Sequence, residues 1–271
     1  MVTEAVEDSG SYVCVGLDPD PAHLPEDFKK SGPQGIHDFC VEIIENTKKY
    51  AAAYKLNFAF FEAIGRSGWE ILSSVRKAIP PNRLTIADAK RGDIGNSAKF
   101  YAKAIFDELD FHAATVNPYM GYDAVAPFIE RPDKGAFILT LTSNKGAEDF
   151  QFIGGEKKLY QIVAEKARIW NELGNIGLVT GATRAGDLRR IRNIVPDLPF
   201  LVPGIGAQGG DLETVVENTM LNSAGGALIN SSRGIIYASE EEDFAEAAGE
   251  AARNLKEQIN TLLNYSDTID Q

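Results

Sequence analysis

Leu84-Thr85-Ile86-Ala87-Asp88-Ala89-Lys90-Arg91-Gly92-Asp93-Ile94 runs from an apolar stretch through a cluster of charges into a helical pattern that continues over Phe100, Ala104 and Ile105. Side chains alternate along a strand with period two, so Asp88 and Lys90 are expected on one side of it. Two carboxylates and an ammonium group then stand within six residues at the strand's C-terminal end. Such a grouping suits a site where a negative group is handled and a proton moves. The plainer reading is a solvated turn with an incidental ion pair.

Outward from this unit, strand-like runs recur at Tyr12–Asp18, Ala53–Phe58, Leu84–Lys90, Ala113–Asn117, Ala136–Leu141, Ile176–Thr180, Phe200–Pro203 and Ala227–Asn230. Amphipathic segments lie between them: Asp38–Tyr50, Gly68–Ala78, Ser97–Leu109, Lys157–Leu173, Ala185–Ile194 and Glu241–Leu263. Strand-then-helix units without a long linker predict a parallel sheet closed on itself. A doubly wound open sheet is the alternative, but no Gly-x-Gly-x-x-Gly follows the first run, which ends in Gly16-Leu17-Asp18-Pro19-Asp20. The expectation is an α/β fold, one (β/α)8 TIM barrel domain over residues 1–271. Its site would sit at the C-terminal ends of the strands.

Composition narrows the function classes. The 271 residues are 44% hydrophobic and 24% charged, ordinary for a globular chain. A net charge of −12 with no basic run argues against nucleic acid. Cys14 and Cys40 lack metal-type spacing, and three scattered histidines suggest no zinc site. No metal or cofactor is therefore expected. The acidic, polar start and the absence of a long apolar run predict a cytoplasmic protein without a membrane span.

The chemically useful residues fall at the predicted strand ends. Asp18 closes the first run, Lys55 lies in or at the end of the second, and Asp88 and Lys90 end the third. Thr142-Ser143-Asn144 follows the fifth, Pro203 to Gly210 the seventh, and Ser231-Ser232-Arg233-Gly234 the eighth. Each has a bland reading: Asp18 could shape a turn, Lys55 could snorkel, Ser143 could sit in a plain loop. Their coincidence at one rim is harder to dismiss. After the seventh run, Gly204, Gly206, Gly209 and Gly210 put four glycines in seven residues. Exposed backbone N–H groups there suit a phosphate, and the loop suits a lid. Gln208 can donate through its amide and Arg233 can grip a phosphate bidentately.

These stretches resemble the orotidine 5′-phosphate decarboxylase family, and more its longer bacterial form (type 2). The resemblance covers essentially the whole chain. It rests on Asp-x-Lys-x-x-Asp at Asp88–Asp93, on Pro-Gly-Ile-Gly-Ala-Gln-Gly-Gly from Pro203, and on Gly181-Ala182-Thr183-Arg184. It implies that Lys55, Asp88, Lys90 and Asp93 form a charged catalytic array, with Asp93 serving the neighbouring subunit of a homodimer. It further implies that Asp18 and Lys55 contact ribose hydroxyls, Ser97 helps anchor the ligand, Ser143 meets the pyrimidine, and Gln208 and Arg233 bind phosphate. A simpler role for Asp93 is to cap its own helix. The segment Pro19–Gly35 and the loop Gly65-Arg66-Ser67-Gly68 are absent from the family's short forms, and the sequence assigns them no role.

The chemistry fits the residues. Loss of CO2 from C6 of orotidine 5′-phosphate leaves an in-plane carbanion that no adjacent carbonyl delocalises, so preorganised charge must stabilise it. Lys90 would be the proton donor and UMP the product. Two other readings stay open. A Mg-dependent sugar-phosphate decarboxylase or lyase on the same barrel would need a carboxylate pair for the metal, which Lys55 would repel. A non-catalytic nucleotide sensor would need the phosphate corner but not the costly Lys–Asp array.

Overall fold

The eight expected strands form, and they close. In a computed structural model describing residues 1–182, 185–205, 211–220 and 226–269, with side chains to 264, they are β1 (Val13–Leu17), β2 (Ala53–Asn57), β3 (Leu84–Arg91), β4 (Ala113–Val116), β5 (Gly135–Leu141), β6 (Ile176–Thr180), β7 (Phe200–Pro203) and β8 (Ala227–Ser231). Each pairs in parallel with its sequence neighbours, and β8 returns to β1 through Val13↔Ile229, Cys14↔Asn230 and Val15↔Ser231. The result is a (β/α)8 barrel. Observed strand ends differ from the expected ones by a residue or so.

Period-two alternation sorts the strand residues into two cores, outside the register shifts in β3 and β5. Val13, Val15 and Leu17 face outward, into a large apolar layer shared with the surrounding helices. Cys14, Ala53, Leu84, Ile86, Ala113, Phe137, Val179, Leu201 and Leu228 face inward and fill the barrel's lower half. Full burial of each large side chain among them contributes about 1.5–3 kcal/mol. The floor is sealed by a helix absent from the sequence reading, Val2–Ser9, whose Val2, Ala5 and Val6 pack against this inner cluster. Both cysteines are free and buried.

The helices depart from expectation in instructive places. The segment after β1 is not a loose insert: it holds a 3₁₀ turn, Pro21–His23, a short helix, Glu26–Lys30, and the start of a long one, Pro33–Thr47. Phe28 reaches edge-on to Phe39 and Phe244 at 6.1 and 5.2 Å, which docks the segment on the barrel. Gly65–Gly68, read as a loop, instead begins the helix Arg66–Ala78. Gly65 turns the chain with φ +78°, and a Cβ on Gly68 would lie 1.8 Å from the Phe61 carbonyl oxygen. The glycines there serve a tight turn and close packing. The helix expected over Ser97–Leu109 runs from Gly95 to Lys103 and then widens into a π-helical turn, Ala104–Glu108.

Candidate active site

The inward rows that begin in the apolar floor end in polar residues at the barrel mouth. Cys14 leads through Gly16 to Asp18, Ala53 to Lys55 and Asn57, Ile86 to Asp88, Ala113 to Thr115, and Leu228 to Asn230. Together they line a cavity of about 570 Å³ at the strands' C-terminal ends, which also meets Ser143, Gly204 and Arg233. The chemistry is thus carried by the same alternation that builds the core.

Asp88 is the hub. Lys90 Nζ donates to its Oδ1 at 2.6 Å, Lys55 Nζ to its Oδ2 at 2.9 Å, and Thr115 Oγ1 to Oδ1 at 3.0 Å. Lys55 also approaches Asp18 Oδ1 at 3.6 Å, an ion pair longer than a hydrogen bond. The Lys55 and Asp88 side chains are 6% and 10% exposed while that of Lys90 is 51% exposed, so the first two are packed into the barrel wall and the third stands half in solvent at the cavity. Burial alone would push the Asp88 carboxyl upward, but the two ammonium groups and their hydrogen bonds outweigh it and hold its pKa at about 2. Burial likewise works against the Lys55 charge, and Asp18 and Asp88 overturn that, raising its pKa above an ordinary lysine's. Asp18, Lys55, Asp88 and Lys90 together make two cations and two anions.

Asp88 and Lys90 do share a side, as the alternation predicts, but not along a regular strand. The β3–β4 register jumps between Ala87↔Ala114 and Arg91↔Val116, so the stretch holding Asp88 and Lys90 bulges. Lys90 takes φ +47°, a left-handed conformation uncommon for a residue with a side chain.

Around the rim the expected residues divide. Ser143 and Arg233 line the cavity with Asp18 and Lys55. Ser143 stands close because Gly181 has no side chain: a Cβ there would lie 2.8 Å from the Ser143 amide nitrogen. Gln151 fixes the preceding residue, accepting from Thr142 N–H and donating to Thr142 Oγ1, both at 2.8 Å. Gln208, Thr183 and Arg184 lie outside the described residues. Asp93 and Ser97 do not reach the cavity within one chain. They line a separate surface cavity of about 450 Å³ with Phe58, Trp69, Arg91 and Phe100. Nor does Asp93 cap its helix: Ile94 holds the N-cap position, and the Asp93 carboxylate accepts the Ile94 N–H at 2.8 Å. The cap thus lies one residue beyond Asp93, and Gly95 opens the helix at φ +56°.

The lining residues that escaped the sequence reading include the polar Asn57, Thr115, Asn230 and Tyr237. The first three were within reach, since counting by two from Ala53, Ala113 and Leu228 lands on them. Tyr237 was not. Its hydroxyl accepts the Asp20 N–H at 2.6 Å and lies 3.3 Å from the Asp18 carbonyl oxygen, tying the segment after β1 to the turn that carries Arg233. Burial raises its pKa. Next to this tie an apolar cavity of about 580 Å³ separates Leu24, Phe28 and Ile36 from Phe60, Ala63 and Ile64.

Comparison with known proteins agrees with this geometry. The family model described as "Orotidine 5'-phosphate decarboxylase / HUMPS family" matches residues 11–248. The orotidine 5′-phosphate decarboxylase of Dehalococcoides mccartyi strain BAV1 is 52% identical over 255 residues, covering 92% of each chain. That of Christiangramia forsetii is 46% identical over 97% of each. The solved structure of Leishmania donovani OMP decarboxylase superposes with a TM-score of 0.84 at 40% identity, over 96% of this chain and 98% of that one. With so much of its length matched in sequence and in barrel geometry, the chain belongs to the orotidine 5′-phosphate decarboxylase / HUMPS family.

Proposed function

We propose that the chain, as one barrel domain over residues 1–271, converts orotidine 5′-phosphate to UMP and CO2, with Lys90 as proton donor. The observation that carries this reading is one carboxylate, Asp88, held between two ammonium groups beneath a rim that ends in Arg233. The C6–carboxylate bond breaks and its electron pair remains on C6. The Lys90 ammonium stabilises that charge and passes one proton to C6, and Lys90 regains a proton from solvent. Asp88 orients Lys90 and stands near the departing carboxylate. Lys55 neutralises Asp88 and, with Asp18, faces the ribose hydroxyls. Ser143 contacts the pyrimidine. Arg233 and Gln208 hold the phosphate, whose binding energy is spent on closure and orientation.

The active form in this proposal is a homodimer, in which Asp93 and Ser97 serve the partner's cavity. What supports pairing is the surface around them. Ile94, Phe100, Tyr119, Met120 and Tyr122 are 50–78% exposed, a concentration of large apolar side chains unusual for a monomer.

Purified protein should turn over orotidine 5′-phosphate, followed by the ultraviolet change on conversion to UMP, and keep full activity after EDTA treatment. Turnover lost on chelation and restored by Mg²⁺ would instead support a sugar-phosphate chemistry on this barrel.

A further inference from the structure

The left-handed Lys90 backbone needs an anchor, because β3 leaves the β4 ladder at this bulge. The anchor is a side chain. Thr115, fully packed into β4 and 1% exposed, accepts the Lys90 N–H on Oγ1 at 2.9 Å. A threonine hydroxyl has one hydrogen and two lone pairs, so a hydroxyl that accepts here has its hydrogen free for a second partner. That partner is Asp88 Oδ1, at 3.0 Å, and the ionised carboxylate can only accept. Lys90 Nζ donates to the same oxygen at 2.6 Å. The circuit therefore starts at the Lys90 backbone, passes through one hydroxyl and one carboxylate, and returns to the Lys90 ammonium. On the far side of the bulge, Asn117 N–H donates to the Arg91 carbonyl at 2.7 Å and restores the ladder.

We infer that Thr115 is a positioning residue for the reaction: its hydroxyl replaces the missing ladder hydrogen bond, sets the bulge, and fixes the aim of both Asp88 and the Lys90 ammonium. It touches the catalytic groups without being one. The inference deepens the decarboxylase reading and rests on it. A hydrophobic residue of equal shape would fill the space but supply neither half of the circuit, so Thr115 differs in kind from its apolar neighbours Ala113 and Ala114.

Thr115→Val and Thr115→Ser separate shape from hydrogen bonding. Thr115→Val should lower kcat by about 10- to 100-fold, the cost of a misaimed reacting group. KM for orotidine 5′-phosphate and Kd for UMP, measured by calorimetry, should stay within about threefold of the parent, since the contacts that bind ground state are untouched. Thr115→Ser, which keeps the hydroxyl, should recover kcat to within about threefold. A purely structural role would instead lower the thermal midpoint and weaken UMP binding together with kcat. Should Thr115→Val not fold, Thr115→Ala is read against Thr115→Ser on the same measurements. An active parent with an equally active Thr115→Val, or a Thr115→Ser as impaired as Thr115→Val, overturns the inference alone. A parent that does not turn over orotidine 5′-phosphate overturns the decarboxylase reading and this inference with it.

Discussion

Asp88 shows how a buried charge becomes useful at the residue scale. Removing a carboxylate from water is costly, and here two ammonium groups and a hydroxyl more than offset that cost. Its pKa of about 2 lies below the ordinary aspartate value, so the carboxylate stabilises the fold above the ordinary value and ceases to as pH falls through the folded one. Denaturant midpoints should therefore drop between about pH 4 and pH 2, and Asp88→Asn should remove about one proton's share of that slope. Identical acid profiles for the two proteins would contradict the pairing. In the proposed reaction Lys90 and Arg233 divide chemistry from binding. Lys90→Ala should cut turnover by at least about 10²–10⁴-fold while UMP still binds, because the proton donor is gone and the phosphate corner is not. Arg233→Ala should mainly raise KM, by about 10- to 100-fold, the worth of one charge-assisted contact to phosphate. Near-normal kcat in Lys90→Ala would remove it from the catalytic role.

Among the elements, the strands do two jobs with one periodicity. Their inward rows pack the floor and then present the array, and where the period breaks, in the β3 bulge, the break carries Lys90. The contact between β1 and the turn after β8 is equally specific. A Cβ on Gly16 would stand 1.9 Å from Ser232 Oγ and 3.2 Å from Ser232 Cα, so the side chain alone cannot yield enough room. Gly16→Ala should push back the turn that carries Arg233, costing about 1–3 kcal/mol of stability as an overpacked contact does. KM should rise more than kcat falls, because the displaced element carries the proposed phosphate contact, Arg233, and not the Lys–Asp array. Thermal melts and steady-state kinetics check both; a variant with unchanged KM would mean that the turn is free to relocate.

For the molecule as a whole, the question is whether one chain contains a complete site. Asp88 and Lys90 line the barrel mouth, whereas Asp93 and Ser97 line another cavity beside exposed apolar side chains. In a two-fold dimer each site would draw Asp88 from one chain and Asp93 from the other. Homodimers of Asp88→Ala and of Asp93→Ala should each be nearly inactive. Mixed and allowed to exchange, they should recover about a quarter of the parental sites, since each heterodimer carries one intact site and one doubly damaged one. Differently tagged chains establish that exchange has occurred. Verified heterodimers without recovered activity would return Asp93 to its own chain.

The barrel and most of its rim were legible in the residues alone, because both rest on local rules. Alternating apolar runs specify strands, and period two carries Ala53 to Lys55 and Ile86 to Asp88 whatever the distant chain does. The family resemblance added roles that no spacing could supply. What remained hidden depends on barrel closure. The Thr115 hydroxyl meets Asp88 from 27 residues away, and the Tyr237 hydroxyl meets Asp20 from 217. The left-handed turn at Lys90 runs against the preference of any residue with a side chain, so only the surrounding hydrogen bonds can select it. Local alternation sets which residues stand at the strand ends. Barrel closure sets which of them touch, because hydrogen bonds act over about 3 Å and only the closed barrel brings remote strands that close.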